Sequence, residues 1–400
     1  MASSSPKQLP YGRQTIDDAD VAAVMQVLRG DWLTTGPAVD AFEAGLGKAT
    51  NARYAVSCAN GTAGLHLASL ALHFRPGDAV IVPAVTFLAT ASAPHLAGAD
   101  VIFADVDPAT GLMRAGDFEQ ALSRAGDRKV RAVFPVHLAG QCEDLATIRA
   151  IARSRDITVV DDACHALGTR WGNATVGDGQ YSDMSVFSFH PVKTITTAEG
   201  GAVTTNDPAL FESLRLLRNH GMQRDPSRFA QADMAFDADG EVNGWYYEMA
   251  EPGLNYRLSD IQAALGTSQL AKLDRFVATR RALVADYDRL LKPLAPRVRA
   301  LARVPQCIPA WHLYVVLIDF AAIGCSRGQI MKELRGRGIN TQVHYVPLPM
   351  QPYWRARSDG TQFPGAGDYY ARALTLPLFP AMTAEDVKRV VDALTEEIGA

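Results

Sequence analysis

Nowhere in this sequence does an uninterrupted apolar run approach the roughly 20 residues that a membrane-spanning helix needs, so no helical span is expected. Cysteine is scarce: Cys58, Cys142, Cys164, Cys307 and Cys325 are odd in number, widely spaced and without a CxxC pair. That spacing argues against a disulfide framework or a zinc site and predicts reduced, mostly buried thiols. An excess of one charge is missing too. The 39 basic and 43 acidic residues leave a formal net charge of -4, with Lys and Arg scattered along the chain. No nucleic-acid footprint and no anionic-membrane surface is expected, and any anionic ligand must be held by a local site. Residues 1–6 are small and polar, without the apolar core of a secretory leader, so the expectation is a cytoplasmic protein. There is no internal repeat and no low-complexity segment.

What is present is apolar material in short pieces. Hydrophobic residues make up 48% of 400 residues, enough for a large core and for two domains or one large domain with an appendage. Between residues 53 and 206, β-rich runs at 54–57, 79–82, 101–106, 130–136, 157–160, 184–189 and 201–205 alternate with potential helices at 62–73, 87–96, 118–123 and 145–152. Runs of four to seven apolar residues without clean alternation suit strands covered on both faces, which predicts an α/β fold with a mostly parallel central sheet and helices on both faces. A helix is expected over 208–219, then a long polar connection over 222–253 dotted with Trp245, Tyr246, Tyr247 and Glu248. Ile261, Leu265, Leu270, Leu273, Phe276, Leu283 and Tyr287 recur at near-helical spacing and predict a long helix over 259–291, kinked at Gly266 and acting as a spine between two parts. The division expected is 1–258 for the large domain and 259–400 for the connecting helix with a smaller α+β domain. In the second part the sequence predicts strands at 312–319 and 341–346, a helix opened by Ser326, and a last helix over 383–398 with Thr383 and Asp386 as a capping box.

The most informative segment is Phe187-Ser188-Phe189-His190-Pro191-Val192-Lys193, followed by Glu199-Gly200-Gly201. A strand ends at a hydroxyl, turns at a proline and presents one lysine. A lysine whose charge is disfavoured by burial becomes the neutral amine that forms a Schiff base. Upstream, Val159-Val160-Asp161-Asp162-Ala163-Cys164-His165 is a β-run ending in two acids and a histidine. A carboxylate at a buried strand end needs a cation or several donors, and the protonated pyridine nitrogen of pyridoxal phosphate is such a partner. Asp162 is the preferred ring partner, with Asp161 as the alternative; His165 either bonds the cofactor's phenolic oxygen or is a satisfied structural histidine. No metal is expected, because Cys164 and His165 are adjacent and no second ligand pair lies at metal spacing. Ser57 to Gly64 joins a strand to a helix with small residues, so that Gly61 and Thr62, together with Ser188, make a phosphate cup. Phe87 opens the next helix and is placed to lie against a cofactor ring.

Together these pieces resemble the fold-type I aminotransferases, and within them the DegT/StrS sugar aminotransferases, over nearly the whole chain. The resemblance rests on Asp31 to Pro37, Asn60-Gly61-Thr62-Ala63, Asp162 to His165, Ser188 to Lys193, Gly253 to Ala264 and Val343 to Pro347. It implies that Lys193 carries pyridoxal 5'-phosphate as a Schiff base and shuttles protons, with pyridoxamine phosphate as the intermediate. It also implies that Asp162 holds the ring nitrogen, that Phe87 stacks, that Gly61, Thr62 and Ser188 bind the phosphate, and that Asn255 reaches the phosphate from the other subunit of a homodimer with shared active sites. Thr35, His344, Tyr345 and the connection around Trp245 are the candidates for sugar contacts. Pro10 to Gln14, the Trp245 to Met249 segment and Asp260 to Gly266 resemble the PseC type, which implies transfer from L-glutamate to C4 of a UDP-linked 4-keto-6-deoxy-N-acetylhexosamine, toward pseudaminic-type acids. Two departures stand out: Ala198 where a glycine often precedes Glu-Gly-Gly, and Pro349 where a histidine usually follows the Val-His-Tyr segment. Other readings are transfer to a GDP- or dTDP-linked keto sugar, and a cofactor-binding protein without turnover. A sugar dehydratase, for which the resemblance implies histidine in place of the lysine, is disfavoured by Lys193.

Overall fold

Seven short strands run through the centre of the protein in a computed structural model that describes residues 8–357 and 360–399; the polar N-terminal residues 1–6 discussed above lie outside the described residues. The strands are β1 (Tyr54–Cys58), β2 (Asp78–Pro83), β3 (Asp100–Ala104), β4 (Lys129–Val133), β5 (Thr158–Asp162), β6 (Met184–Ser188) and β7 (Gly201–Thr205). They form one sheet in the order β1-β7-β6-β5-β4-β2-β3. All neighbours are parallel except β7, which is antiparallel to both β1 and β6.

Coverage on both faces explains the unbroken apolar runs. In β2, Val80 and Val82 point into a cluster with Leu65, Leu67 and Ala91, which lie on α3 (Gly61–Leu70) and α4 (Leu88–Leu96). The alternate residues Ala79 and Ile81 point into an opposite cluster with Phe118 and Ile148, which lie on α5 (Ala115–Ser123) and α6 (Leu145–Arg153). A strand wetted on one face would have alternated with polar residues. Among the helices ahead of the sheet in the chain are α1 (Asp18–Leu28) and α2 (Pro37–Thr50), and α7 (Pro208–Arg218) follows β7.

The spine is broken in two, and not where the sequence suggested. One helix, α8 (Asp260–Leu270), is separated from α9 (Leu273–Leu291) at Ala271 and Lys272. Gly266 lies inside α8 and serves close packing: a Cβ there would come within 2.6 Å of the Phe42 ring and 2.7 Å of Thr197 Cγ2. Both neighbours are fully buried. Overpacking by one methyl costs about 1–3 kcal/mol, against about 1 kcal/mol gained by replacing glycine with alanine in a helix. Gly266→Ala is therefore expected to lower the thermal unfolding midpoint of the intact protein, and an unchanged or raised midpoint would contradict this packing account.

The first turns of α9 place Leu273, Phe276 and Val277 in the central cluster, while Leu283, Val284, Tyr287 and Leu291 enter a separate one. That second cluster covers the antiparallel sheet of β8 (Val298–Ala300), β9 (Tyr314–Ile318) and β10 (Ala373–Leu376), together with α10 (Arg327–Gly336) and the final helix α11 (Ala384–Glu397). Ser326 caps α10, and Thr383 and Asp386 exchange the expected capping-box bonds on α11. The strand expected over 341–346 is not formed. Only Gln342 pairs, with Thr375; the His344 carbonyl accepts from Tyr369 Oη at 2.7 Å and its Nδ1 meets Thr375 Oγ1 at 2.8 Å. Side-chain partners take the place of a ladder there, and the segment's aromatic residues face a cavity. The 222–253 connection contains one two-residue strand pair, Met222 and Gln223 with Met249 and Glu248. No helix among the described residues is long and apolar enough to cross a membrane.

Candidate active site

At the carboxyl ends of β5 and β6 lies a cavity of about 840 Å³. Ligand clefts of α/β sheets form at this edge because strands end there and helices begin. Its lining brings together Gly61, Thr62, Phe87, Asp162, His165, Ser188, Lys193, His344 and Tyr345. Asp161, the alternative acid, points the other way: it pairs with His137 at 3.4 Å and accepts from Ser185 Oγ at 3.1 Å. The period-two alternation of β5 puts only Asp162 in the cavity.

The two Asp162 oxygens are each held by one donor. Thr90 Oγ1 donates to Oδ2 at 2.6 Å and the Cys164 N–H to Oδ1 at 3.2 Å. Thr86 and Thr90 share a hydrogen bond of 2.7 Å, which continues the chain of hydroxyls. The His165 ring accepts the Ala139 N–H on Nδ1 at 3.3 Å, so the proton of the neutral imidazole sits on Nε2, facing Tyr345 Oη at 3.2 Å. Burial, reinforced by the nearby Lys193 charge, pushes the His165 pKa well below its usual range. His344 is driven down to about 3 by burial and then by Lys193, and His312, whose ring centroid is 4.4 Å from that of His165, is also held well below. These imidazoles are neutral donors and acceptors at neutral pH.

Lys193 sits in the turn after β6, its N–H bonded to the His190 carbonyl at 2.8 Å. Burial lowers its ammonium pKa and outweighs the attraction of Cys164 and Asp162, which pull the other way. Behind it Arg280 of α9 is fully buried. Its guanidinium donates to the carbonyls of Leu378 at 2.9 Å, His312 at 3.1 Å and Lys193 at 3.5 Å, and its pKa is lowered by burial to about 10. It ties the lysine turn to two segments of the second cluster.

Opposite Lys193, α3 begins against β6. A Cβ at Gly61 would lie 2.9 Å from Ser188 Cβ and 3.2 Å from its Oγ, so only glycine lets the helix start this close to the hydroxyl. Asn60 takes the Ala63 N–H, which leaves the first-turn N–H groups of Gly61 and Thr62 without intrahelical acceptors. A hydroxyl and two amides converge at the positive end of a helix, a fit for a phosphate. Phe87, 51% exposed, leaves a ring face open to the cavity. A phosphate cup, an amine, a carboxylate and an open aromatic face in one cavity match the donor set that a phosphorylated pyridine aldehyde requires.

Three of the residues singled out in the sequence lie elsewhere. Thr35 has a left-handed backbone (φ 56°) and lines a separate cleft of about 480 Å³. Asn255 pairs with Asn219 and does not line the Lys193 cavity of its own chain. Trp245 is 71% exposed and is also outside it. Conversely, Tyr11, Gln342, Glu199 and Tyr256 line the cavity, and Thr90 and Arg280 support it from behind, without having been singled out individually. Tyr11, Glu199 and Tyr256 lay inside motifs quoted above, whereas Gln342, Thr90 and Arg280 carried no local signal.

The model of the DegT/DnrJ/EryC1/StrS aminotransferase family matches residues 14–395. Among solved structures, Helicobacter pylori PseC, an aminotransferase involved in the biosynthesis of pseudoaminic acid, superposes with a TM-score of 0.86 at 28% identity, covering 98% of this chain and 100% of that one. The PLP-form and PMP-form of Spr1654 from Streptococcus pneumoniae, a sugar aminotransferase by description, superpose with TM-scores of 0.86 at 28% and 29% identity, each covering 98% of this chain and 99% of that one. DesI in the presence of its TDP-sugar product superposes at 0.83 and 29% identity, covering 99% of this chain and 94% of that one.

Proposed function

The chain belongs to the DegT/DnrJ/EryC1/StrS aminotransferase family and is a sugar aminotransferase, and we propose that it moves the amino group of L-glutamate to C4 of a UDP-linked 4-keto-6-deoxy-N-acetylhexosamine, a step toward pseudaminic-type acids. The observation that carries the chemistry is that the Lys193 amine shares one cavity with the Asp162 carboxylate and the Gly61, Thr62 and Ser188 cup. The sugar and its nucleotide are supported by the likeness to PseC and by the Pro10 to Gln14 and Trp245 to Met249 segments.

Bound pyridoxal phosphate supplies an aldehyde that condenses with amines and a protonated ring that draws electrons from the adjoining carbon. Gly61, Thr62 and Ser188 would hold its phosphate by N–H and hydroxyl donors, and Phe87 would lie against its ring. Asp162, fixed by Thr90 and the Cys164 N–H, would meet the ring nitrogen and keep its proton in place. His165, neutral and with its Nε2 proton toward Tyr345 Oη, would border the cofactor without adding charge. Lys193 Nζ takes the proton from the α-carbon of L-glutamate and, in the second half of a ping-pong cycle, delivers one to C4 of the keto sugar. His344 and Tyr345 border the cavity where a sugar would enter. Asn255, outside the cavity of its own chain, would serve the cavity of a second copy in a homodimer, and a monomer is then inactive.

The test is mass spectrometry of the products formed from L-glutamate and a panel of UDP-, GDP- and dTDP-linked 4-keto sugars. The expected result is an amino sugar from the UDP-linked N-acetylated substrate, with one 2-oxoglutarate per nitrogen moved. Amination of only the GDP- or dTDP-linked members would replace the substrate part of the proposal with the reading that DesI's TDP-sugar exemplifies.

A further inference from the structure

We propose that Cys142 and Cys307 are a disulfide-forming pair that a small-molecule disulfide oxidises, a modification site separate from amino transfer. The two residues lie 165 positions apart in the chain, yet their Sγ atoms are 3.5 Å apart. Cys142 follows the turn Leu138–Gly140 that leads from β4 toward α6. Cys307 lies in a two-residue strand paired with Trp171. The sulfurs must close by about 1.5 Å to reach bonding distance.

The pair is asymmetric in the way thiol exchange requires. Cys142 is fully buried and Cys307 is partly exposed, so a dissolved reagent meets Cys307 first. Cys307 Sγ also accepts the Cys142 N–H at 3.4 Å and faces the Cys142 thiol. These donors favour the Cys307 thiolate and lower its pKa, first through the Cys142 thiol, whereas Cys142 is pushed up by the same contact and by burial. Nearby, His137 is 1% exposed and its Nε2 faces Asp161 Oδ2. Burial opposes its cation, but Asp161 at 3.4 Å outweighs that and raises the His137 pKa, which adds positive charge on the side of Cys307. A thiolate beside a cation, with a second thiol in reach, is the arrangement of a reactive pair. The Cys58 thiol, by contrast, is engaged with the Asn60 carbonyl at 3.3 Å.

The chemistry balances as two exchanges. The Cys307 thiolate attacks one sulfur of the small disulfide, forming a mixed disulfide and releasing one thiolate. Cys142 sulfur then attacks Cys307 sulfur, the protein disulfide forms, and the second small thiolate leaves. The two protons of the protein thiols pass to the two released thiolates, so the protein loses two electrons and the reagent gains them. The new bond would lock the turn whose Ala139 N–H holds His165 Nδ1 and whose Ala139 carbonyl accepts from the His312 N–H.

To test this, the full-length holoenzyme is incubated with oxidised glutathione, unfolded in N-ethylmaleimide, digested and mapped by mass spectrometry. The expected map holds one peptide pair joined through Cys142 and Cys307, lighter by two hydrogen atoms than the reduced pair and separated by dithiothreitol, and the oxidised protein melts at a higher temperature. In Cys142→Ala the second exchange is impossible, and glutathione is expected to remain on Cys307. Recovery of both cysteines of the wild type as maleimide adducts, or a crosslink to a different cysteine, overturns the proposal. So does a Cys142→Ala protein whose Cys307 takes no glutathione.

Discussion

Replacing Lys193 with Ala is expected to reduce turnover by at least about 10⁴-fold, the upper range for removing one acid–base group, because here one amine both captures the cofactor and moves the protons. Among the described residues no second lysine lines the cavity, its His165 and His344 are neutral, and Arg280, a buried cation close by, faces backbone carbonyls. Borohydride treatment of the loaded wild type should give one modified peptide, containing position 193, and the variant none. Capture also has a pH signature. Below the Lys193 pKa the nitrogen is an ammonium with no lone pair to attack an aldehyde, and above it the amine is free. Because burial lowers that pKa, the rate at which the apoenzyme takes up pyridoxal phosphate should rise with pH through a midpoint below that of an exposed lysine. Full turnover by purified Lys193→Ala with no amine added would end this account of the site.

Lys193 and Asp162 were legible in the sequence for a physical reason. Each lies at or just after the carboxyl end of a strand buried on both faces, and such strands announce themselves as short apolar runs closed by polar residues. The seven runs between 53 and 206 all became strands of one sheet. The same logic fails where partners are distant in sequence. Arg280 stands beside Arg281 on a helix and reads as surface charge, yet it is fully buried because three carbonyls from separate segments converge on it. Thr90 has no local mark; it matters only because α4 lies over the end of β5. Gly266 reads as a kink since glycine is a poor helix former, while the reason for it, the Phe42 ring, comes from 224 residues earlier in the chain. The 341–346 run has strand composition, but its backbone and hydroxyl partners, Thr375 and Tyr369, lie in the next segment of the fold and draw it out of a ladder.

Asp162→Asn separates charge from shape at the other end of the cofactor. The two donors that reach the carboxylate are the Thr90 hydroxyl and the Cys164 N–H. An asparagine can keep its oxygen toward the Cys164 N–H and turn its amide toward Thr90, whose hydroxyl can accept as well as donate and can give its own proton to Thr86. The hydrogen-bond network therefore closes again, and the folded protein should unfold at nearly the same temperature. What disappears is the negative charge. Removing one partner of a buried ion pair costs about 3–5 kcal/mol, which corresponds to a loss of roughly 10² to 10³-fold or somewhat more in rate if that stabilisation acts on the reacting state. A cofactor analogue methylated on the ring nitrogen carries its positive charge permanently and should recover part of that loss in the variant, though not in Lys193→Ala. If Asp162→Asn turns over like the wild type, or if the methylated analogue helps neither variant, Asp162 is not the residue that keeps the ring charged, and its position at the end of β5 would have to be explained by packing against Thr90 alone.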